Sequence, residues 1–149
     1  MTKDNTPKIM QCIQAELKAP KGRTNKFGGY SYRSAEDILE ALKPLLSKYD
    51  CFLTIDDSIV EVGGRVYVKS TATIEESFGD VVSEASAFAR EAEVKKGMDE
   101  AQITGSASSY ARKYALNGLF AIDDTKDPDA TNDHGSKLPK PTTKQSQGF

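Results

Sequence analysis

Between Cys51 and Glu91 the apolar residues alternate with polar ones. CFLTIDDSIVEV, a Gly63-Gly64 pair and RVYVKSTATIEE predict two strands joined by a turn that needs positive φ. Val66, Val68, Ala72 and Ile74 point one way, and Arg65, Tyr67, Lys69, Thr71 and Thr73 the other. A second turn at Ser77-Phe78-Gly79-Asp80 leads to a third strand, VVSEASAFARE. Simple alternation there sets Val82 and Phe88 on one face and Ala85, Ala87 and Ala89 on the other.

Outside this meander the period lengthens to that of a helix. Ile9, Ile13 and Leu17 mark a first amphipathic helix ended by Ala19-Pro20, and oligomerisation is one role open to it. Lys21 to Tyr32 reads as a Gly-rich loop. Ser34 with Asp37 resembles a capping box, and Ala35, Ile38, Leu42, Leu45, Leu46 and Tyr49 trace the inner face of a second helix that Pro44 is expected to kink. A third helix carries GSASSYARKYALNGLF. Its wheel gathers Ile103, Ala107, Tyr110, Ala111 and Tyr114 into one stripe, and stacks Gln102, Ser106, Ser109 and Lys113 on another column with Arg112 nearby; Asn117-Gly118 is expected to close it. Gly105, costly in a helix interior by about 1 kcal/mol, marks a surface that something approaches closely.

These elements predict an α+β domain: a three-stranded antiparallel meander, one face of which the flanking helices must bury. The 149 residues, 38% hydrophobic, suffice for one core. The plan is a helix in 1–20, a core domain in 21–122, and a disordered tail in 123–149, acidic first and then rich in Lys, Pro, Ser and Thr. Cys12, Cys51 and His134 are too few for a disulfide framework or a Cys/His zinc site. No run approaches the roughly 20 apolar residues of a membrane span, and a reducing cytoplasm is expected.

A net charge of −2 hides a segregated distribution. Lys18, Lys21, Arg23, Lys26 and Arg33 fall in a stretch without acids, whereas Asp123, Asp124, Asp127, Asp129 and Asp133 follow the last helix with only Lys126 among them. KFGGYSYRS interleaves Phe27, Tyr30 and Tyr32 with Lys26 and Arg33, the residue types that single-stranded nucleic acid requires: rings for base faces, cations for phosphates. The competing explanation is an ordered loop whose rings insert into the core. No phosphate-binding G-x-x-x-x-G-K-[ST] motif occurs, so ATP-driven strand exchange is disfavoured, and no cofactor is expected. Asp56-Asp57 and Asp123-Asp124 are candidate Mg²⁺ ligands for a nuclease, but a two-metal site needs carboxylates from several elements. Cys51, opening a strand, reads as an inert core thiol.

KFGGYSYRSAEDILEALKPLLSKYD, a β-meander, and then GSASSYARKYALNGLFAIDDTKDPDA resemble the ERF family of phage single-strand annealing proteins, from about Met10 to Asp133. The resemblance implies a Rad52-like β-β-β-α core, assembly into rings or helical filaments, single-stranded DNA binding, and ATP-independent pairing of complementary strands in recombination and repair. It also implies a phage exonuclease and the host single-strand binding protein as partners, in the cytoplasm of an infected bacterium. Annealing makes and breaks no covalent bond, so no enzyme activity is expected. Lys26, Arg33, Arg112 and Lys113 are then assigned to phosphates, Tyr30 and Tyr32 to bases or sugars, and Ser106 and Ser109 to phosphate hydrogen bonds, with Phe27 and Gln102 also in the DNA-binding set. Arg65 and Lys69, outward on the hairpin, are second choices. The rival is a non-catalytic oligomeric scaffold whose Ser-Ala-rich helix contacts protein.

Overall fold

The structure, a computed structural model, describes residues 6–94 and 96–122; the expected tail, with its aspartates and His134, lies outside the described residues. Helix α1 (Thr6–Glu16) is followed by a small hairpin, β1 (Arg23–Asn25) and β2 (Tyr30–Tyr32). Then come helix α2 (Ala35–Lys48), strands β3 (Cys51–Val62), β4 (Arg65–Glu76) and β5 (Val81–Arg90), and helix α3 (Glu100–Phe120). The long strands form an antiparallel sheet in the order β3-β4-β5. Gly63 and Gly64, at φ 61° and 78°, make the turn that register requires, with Val62 opposite Arg65.

All three helices pack on one face of this sheet. Ile13 of α1, Ile38 and Leu42 of α2, Ile74 of β4, and Leu116 and Phe120 of α3 are each at most 1% exposed and meet in one cluster. Each such burial stabilises by roughly 1.5–3 kcal/mol. Helix α1 is therefore part of the main core, and Gln14 Nε2 donates to the Leu119 carbonyl at 2.9 Å in the last turn of α3.

Where α3 crosses β4 and β5, the contact is made of small residues. Ala107 and Ala111 face Val68 and Ala89, while Ala85 and Ala87 lie along the same face of β5. That close approach leaves no room for a ring. Tyr110 and Tyr114, expected in the inner stripe, stand outside at 51% and 42% exposure. The helix also runs past the expected Asn117-Gly118 stop to Phe120, where Ala121 adopts the left-handed conformation and the Ile122 N–H closes on the Asn117 carbonyl at 2.9 Å.

Two further expectations change. The stretch taken as a Gly-rich loop holds the β1–β2 hairpin, Arg23 opposite Tyr32. In β5 a register shift at Ile74/Glu75 inserts an extra residue, so Val82 is buried while Phe88, 51% exposed, lies on the outer face. Pro44 sits inside α2, on an exposed position, and the helix continues to Lys48. The Ser34–Asp37 capping box forms as expected. Cys51 is buried, its Sγ 3.2 Å from the Tyr49 carbonyl, and burial pushes its thiol pKa up.

Candidate nucleic-acid interface

The β1–β2 hairpin is held rigidly at its base. Arg23 grips the Asp37 carboxylate with Nε at 2.7 Å and Nη2 at 3.0 Å, while the Ser34 N–H donates to the same carboxylate at 2.9 Å. The Arg23 bond, then the Ser34 N–H, hold the Asp37 carboxyl far below the usual carboxylate range. At the tip, Asn25 Oδ1 accepts from the Gly28 N–H at 2.8 Å and Asn25 Nδ2 donates to the Tyr30 hydroxyl at 3.1 Å. Gly28 lies against the Tyr30 ring so tightly that a Cβ would be 2.3 Å from it, and Gly29 takes φ 67°. The turn thereby presents Lys26 and a fully exposed Phe27.

Behind the tip, aromatic rings and a cation continue across to α3. Tyr30 meets Tyr32 edge-on at 6.2 Å. The Lys113 ammonium lies 5.7 Å from the Tyr32 ring and 5.9 Å from that of Tyr110, and donates to the Arg33 carbonyl at 3.3 Å. Tyr110 stacks on Tyr114 at 6.1 Å and 27°. An open cleft of about 280 Å³ lies between Tyr32, Ser34 and Ala35 on one side and Gly105, Ser106, Ser109, Tyr110 and Lys113 on the other. Two sequence stretches more than 70 residues apart, the aromatic loop and the Ser-rich helix, thus form one surface.

Of the residues expected to contact DNA, Tyr30, Tyr32, Ser106, Ser109 and Lys113 come together here, with Lys26 and Phe27 on the adjoining turn. The others are elsewhere. Arg33 is 8% exposed, and its Nε donates to the Ala19 carbonyl, tying the chain after α1 to the start of α2. Gln102 caps α3, its Oε1 accepting from the Asp99 N–H at 2.9 Å. Arg65 and Lys69 lie on outward positions of β4, Arg65 lining a separate cleft with Glu100, Ile103 and Thr104 at the start of α3, and Lys69 sitting 5.8 Å from the Phe88 ring.

Arg112 is turned toward the sheet, onto Asp57. Its Nη2 lies 3.1 Å and its Nε 3.2 Å from Asp57 Oδ2, and the hydroxyls of Ser70 and Ser108 each donate to the same carboxylate at 2.6 Å. Burial on its own would raise the Asp57 carboxyl; the bonds from Ser108, Ser70 and Arg112 outweigh it and hold the group below its ordinary value. Strand parity sends Asp57 inward and Asp56 outward, so this pair cannot converge on one metal ion, and Asp123 and Asp124 lie outside the described residues. Among the described residues no group of three or more His, Cys, Asp or Glu is arranged to hold a metal, and no helix is long and apolar enough to cross a membrane.

Tyr110 and Tyr114 belong to this surface and were missed because rings at helical spacing read as core. The signal that distinguishes them is the run of alanines on α3 and β5, which demands a close helix–sheet contact.

Comparison with known proteins adds to the geometry. The essential recombination function protein of Salmonella phage P22 is 56% identical over 135 residues, which cover 91% of this chain and 63% of that protein's length. The chain thus spans somewhat under two thirds of that curated relative. A model of the ERF superfamily matches residues 7–148, nearly the whole sequence, and the chain belongs to that superfamily.

Proposed function

We propose that this chain binds single-stranded DNA and anneals complementary strands without ATP, serving phage homologous recombination. The observation that carries this reading is the continuous track of Tyr30, Tyr32, Lys113, Tyr110 and Tyr114, rings with one ammonium among them, beside an adjoining turn that exposes Lys26 and Phe27. Family membership supports it, as does the recombination role named for the phage P22 relative. Annealing requires a strand held extended, its phosphate charge reduced so that a second strand can approach, and release of the duplex; positioning and charge accomplish all three.

Base faces stack on the rings for about 1–3 kcal/mol each, and Lys26 and Lys113 meet phosphates, with Lys18 and Lys21 of the same acid-free stretch of sequence as further phosphate contacts. Arg33 and Arg112 drop out of the phosphate set, because one is buried and the other is engaged by Asp57. The same reading makes the chain a homo-oligomer, in rings or filaments, and the bare outer face of the sheet, where Phe52, Val62, Val81 and Phe88 are each 42–59% exposed, favours contact between copies.

The test is ATP-free annealing of two labelled oligonucleotides followed by energy transfer. The wild type should accelerate pairing, and a Lys26→Ala, Lys113→Ala variant should fall toward the spontaneous rate. With about four phosphate contacts, log K against log salt should slope near −3. An unchanged spontaneous rate and a slope near zero would remove the annealing reading and leave the protein-contact scaffold.

A further inference from the structure

Gly105 stands in the interior of α3, where glycine costs about 1 kcal/mol relative to alanine. Among the described residues nothing requires it there: a Cβ built on Gly105 would meet none of their atoms within 4 Å. The glycine instead opens the cleft between the hairpin and α3, which Tyr32 and Tyr110 flank and Ser106 and Ser109 line. A ligand with a flat π face and a hydrogen-bonding edge suits such walls: rings offer stacking, and hydroxyls both donate and accept. At about 280 Å³ the open cleft is large enough for one nucleobase with its sugar, and a base whose face stacks on a ring and whose edge meets the hydroxyls is one that is not already paired. Lys113, which lines the same cleft 5.7 Å from the Tyr32 ring and 5.9 Å from that of Tyr110, offers a positive charge to the attached phosphate.

Resting on the proposed DNA binding and extending it, we infer that this cleft is a base pocket: it takes a single unpaired nucleobase out of the line of the strand, between Tyr32 and Tyr110 over Gly105. Bound DNA is then anchored at one nucleotide per subunit while its neighbours stay open for pairing. The pocket discriminates by the presence of a base and accepts only unpaired ones, so duplex product is held less tightly than either strand.

The experiment measures affinity of the full-length protein for an oligothymidylate and for an oligonucleotide of equal length whose sugars are abasic, at one salt concentration, with wild type, Gly105→Leu and Tyr110→Ala. Gly105→Leu fills the cleft yet replaces glycine with a better helix former, so its melting temperature should not fall. Tyr110 is half exposed, and its truncation leaves the core intact. The wild type should prefer the base-bearing strand about tenfold or more, and both variants should lose most of that preference while binding the abasic strand as the wild type does. A wild type that binds both strands equally overturns the pocket, together with base stacking on the ring track, and leaves phosphate-mediated DNA binding standing. A preference that survives in both variants overturns it too, by moving the base contact elsewhere. Binding to neither strand overturns the pocket together with the function it rests on.

Discussion

Single residues at element ends and in the helix–sheet seam decide more here than composition does. Ala121 ends α3 at φ 57°, a conformation that costs an L-residue about 1–2 kcal/mol and glycine almost nothing. Its own bonds are already made, since the Ile122 N–H reaches the Asn117 carbonyl. Ala121→Gly should therefore raise unfolding free energy by about 1 kcal/mol, read as a higher denaturant midpoint at unchanged m-value. A lower midpoint would mean that α3 does not end in this left-handed turn. Residue size governs the seam in the same local way. Ala107 and Ala111 let α3 approach β4 and β5, and this turns Tyr110 and Tyr114 outward to become the far end of the aromatic track. Asp57 follows the inward phase of Leu53 and Ile55, so alternation alone pointed it at α3; what it could not supply was the partner, because Arg112 lies 55 residues away.

Among elements, two polar junctions fix helix α2, and both leave a mark on the pH dependence of stability, the first on the acid limb and the second on both limbs. Arg23 and Ser34 hold the Asp37 carboxyl far below its unfolded value, so this junction stabilises fully above about pH 4 and loses its contribution only as pH falls through the depressed value. At the other end, Glu16 of α1 accepts from the Tyr49 hydroxyl and, at 2.9 Å, from Lys48. The bond to Glu16 pushes the Tyr49 pKa up from 10.0 to about 12, so that contribution is complete below pH 10.0 and is lost as pH rises toward 12. Asp37→Ala should lower stability at neutral pH by about 1 kcal/mol and flatten the acid limb, while Tyr49→Phe should flatten the alkaline limb and also soften the acid one, because the Tyr49 hydroxyl is the main cause of the lowered Glu16 pKa. Thermal melts across pH 2 to 12 check both; parallel curves for wild type and variants would refute the assignment. The capping box behind the first junction was legible, because Ser34 and Asp37 are three apart, as were the Gly63-Gly64 hairpin and the α+β order, which local period dictates. The β1–β2 hairpin was not, because three-residue strands leave no period and their brace, Arg23 to Asp37, is a pairing across 14 residues. The extra residue in β5 escaped for a related reason: a bulge breaks the alternation from which faces are read.

At the scale of the whole molecule, charge separation along the chain becomes a question of competition. Helix α3 delivers the chain at Ile122 beside Lys18, Leu17 and Phe120, in a second cleft of about 360 Å³ near the basic stretch that precedes the hairpin. The next residues in sequence are five aspartates with one lysine among them, spread from Asp123 to Asp133. That run carries the same charge sign as DNA and follows directly on Ile122, so competition with phosphates for the basic stretch is the expectation, over a Debye length of about 8–10 Å at moderate salt. Truncation after Ile122 should consequently tighten binding of single-stranded DNA at low salt. Exchanging the five aspartates for asparagine in the full chain should do the same, which separates the acidic run from Lys137, Lys140 and Lys144 beyond it. Both gains should shrink as salt rises, because screening removes the competitor and the phosphate attraction together. Unchanged or weaker affinity in the asparagine variant at low salt would show that the acidic run does not oppose DNA. A gain in the truncated protein alone would instead trace the inhibition to residues after Asp133, which their lysines make the less expected result.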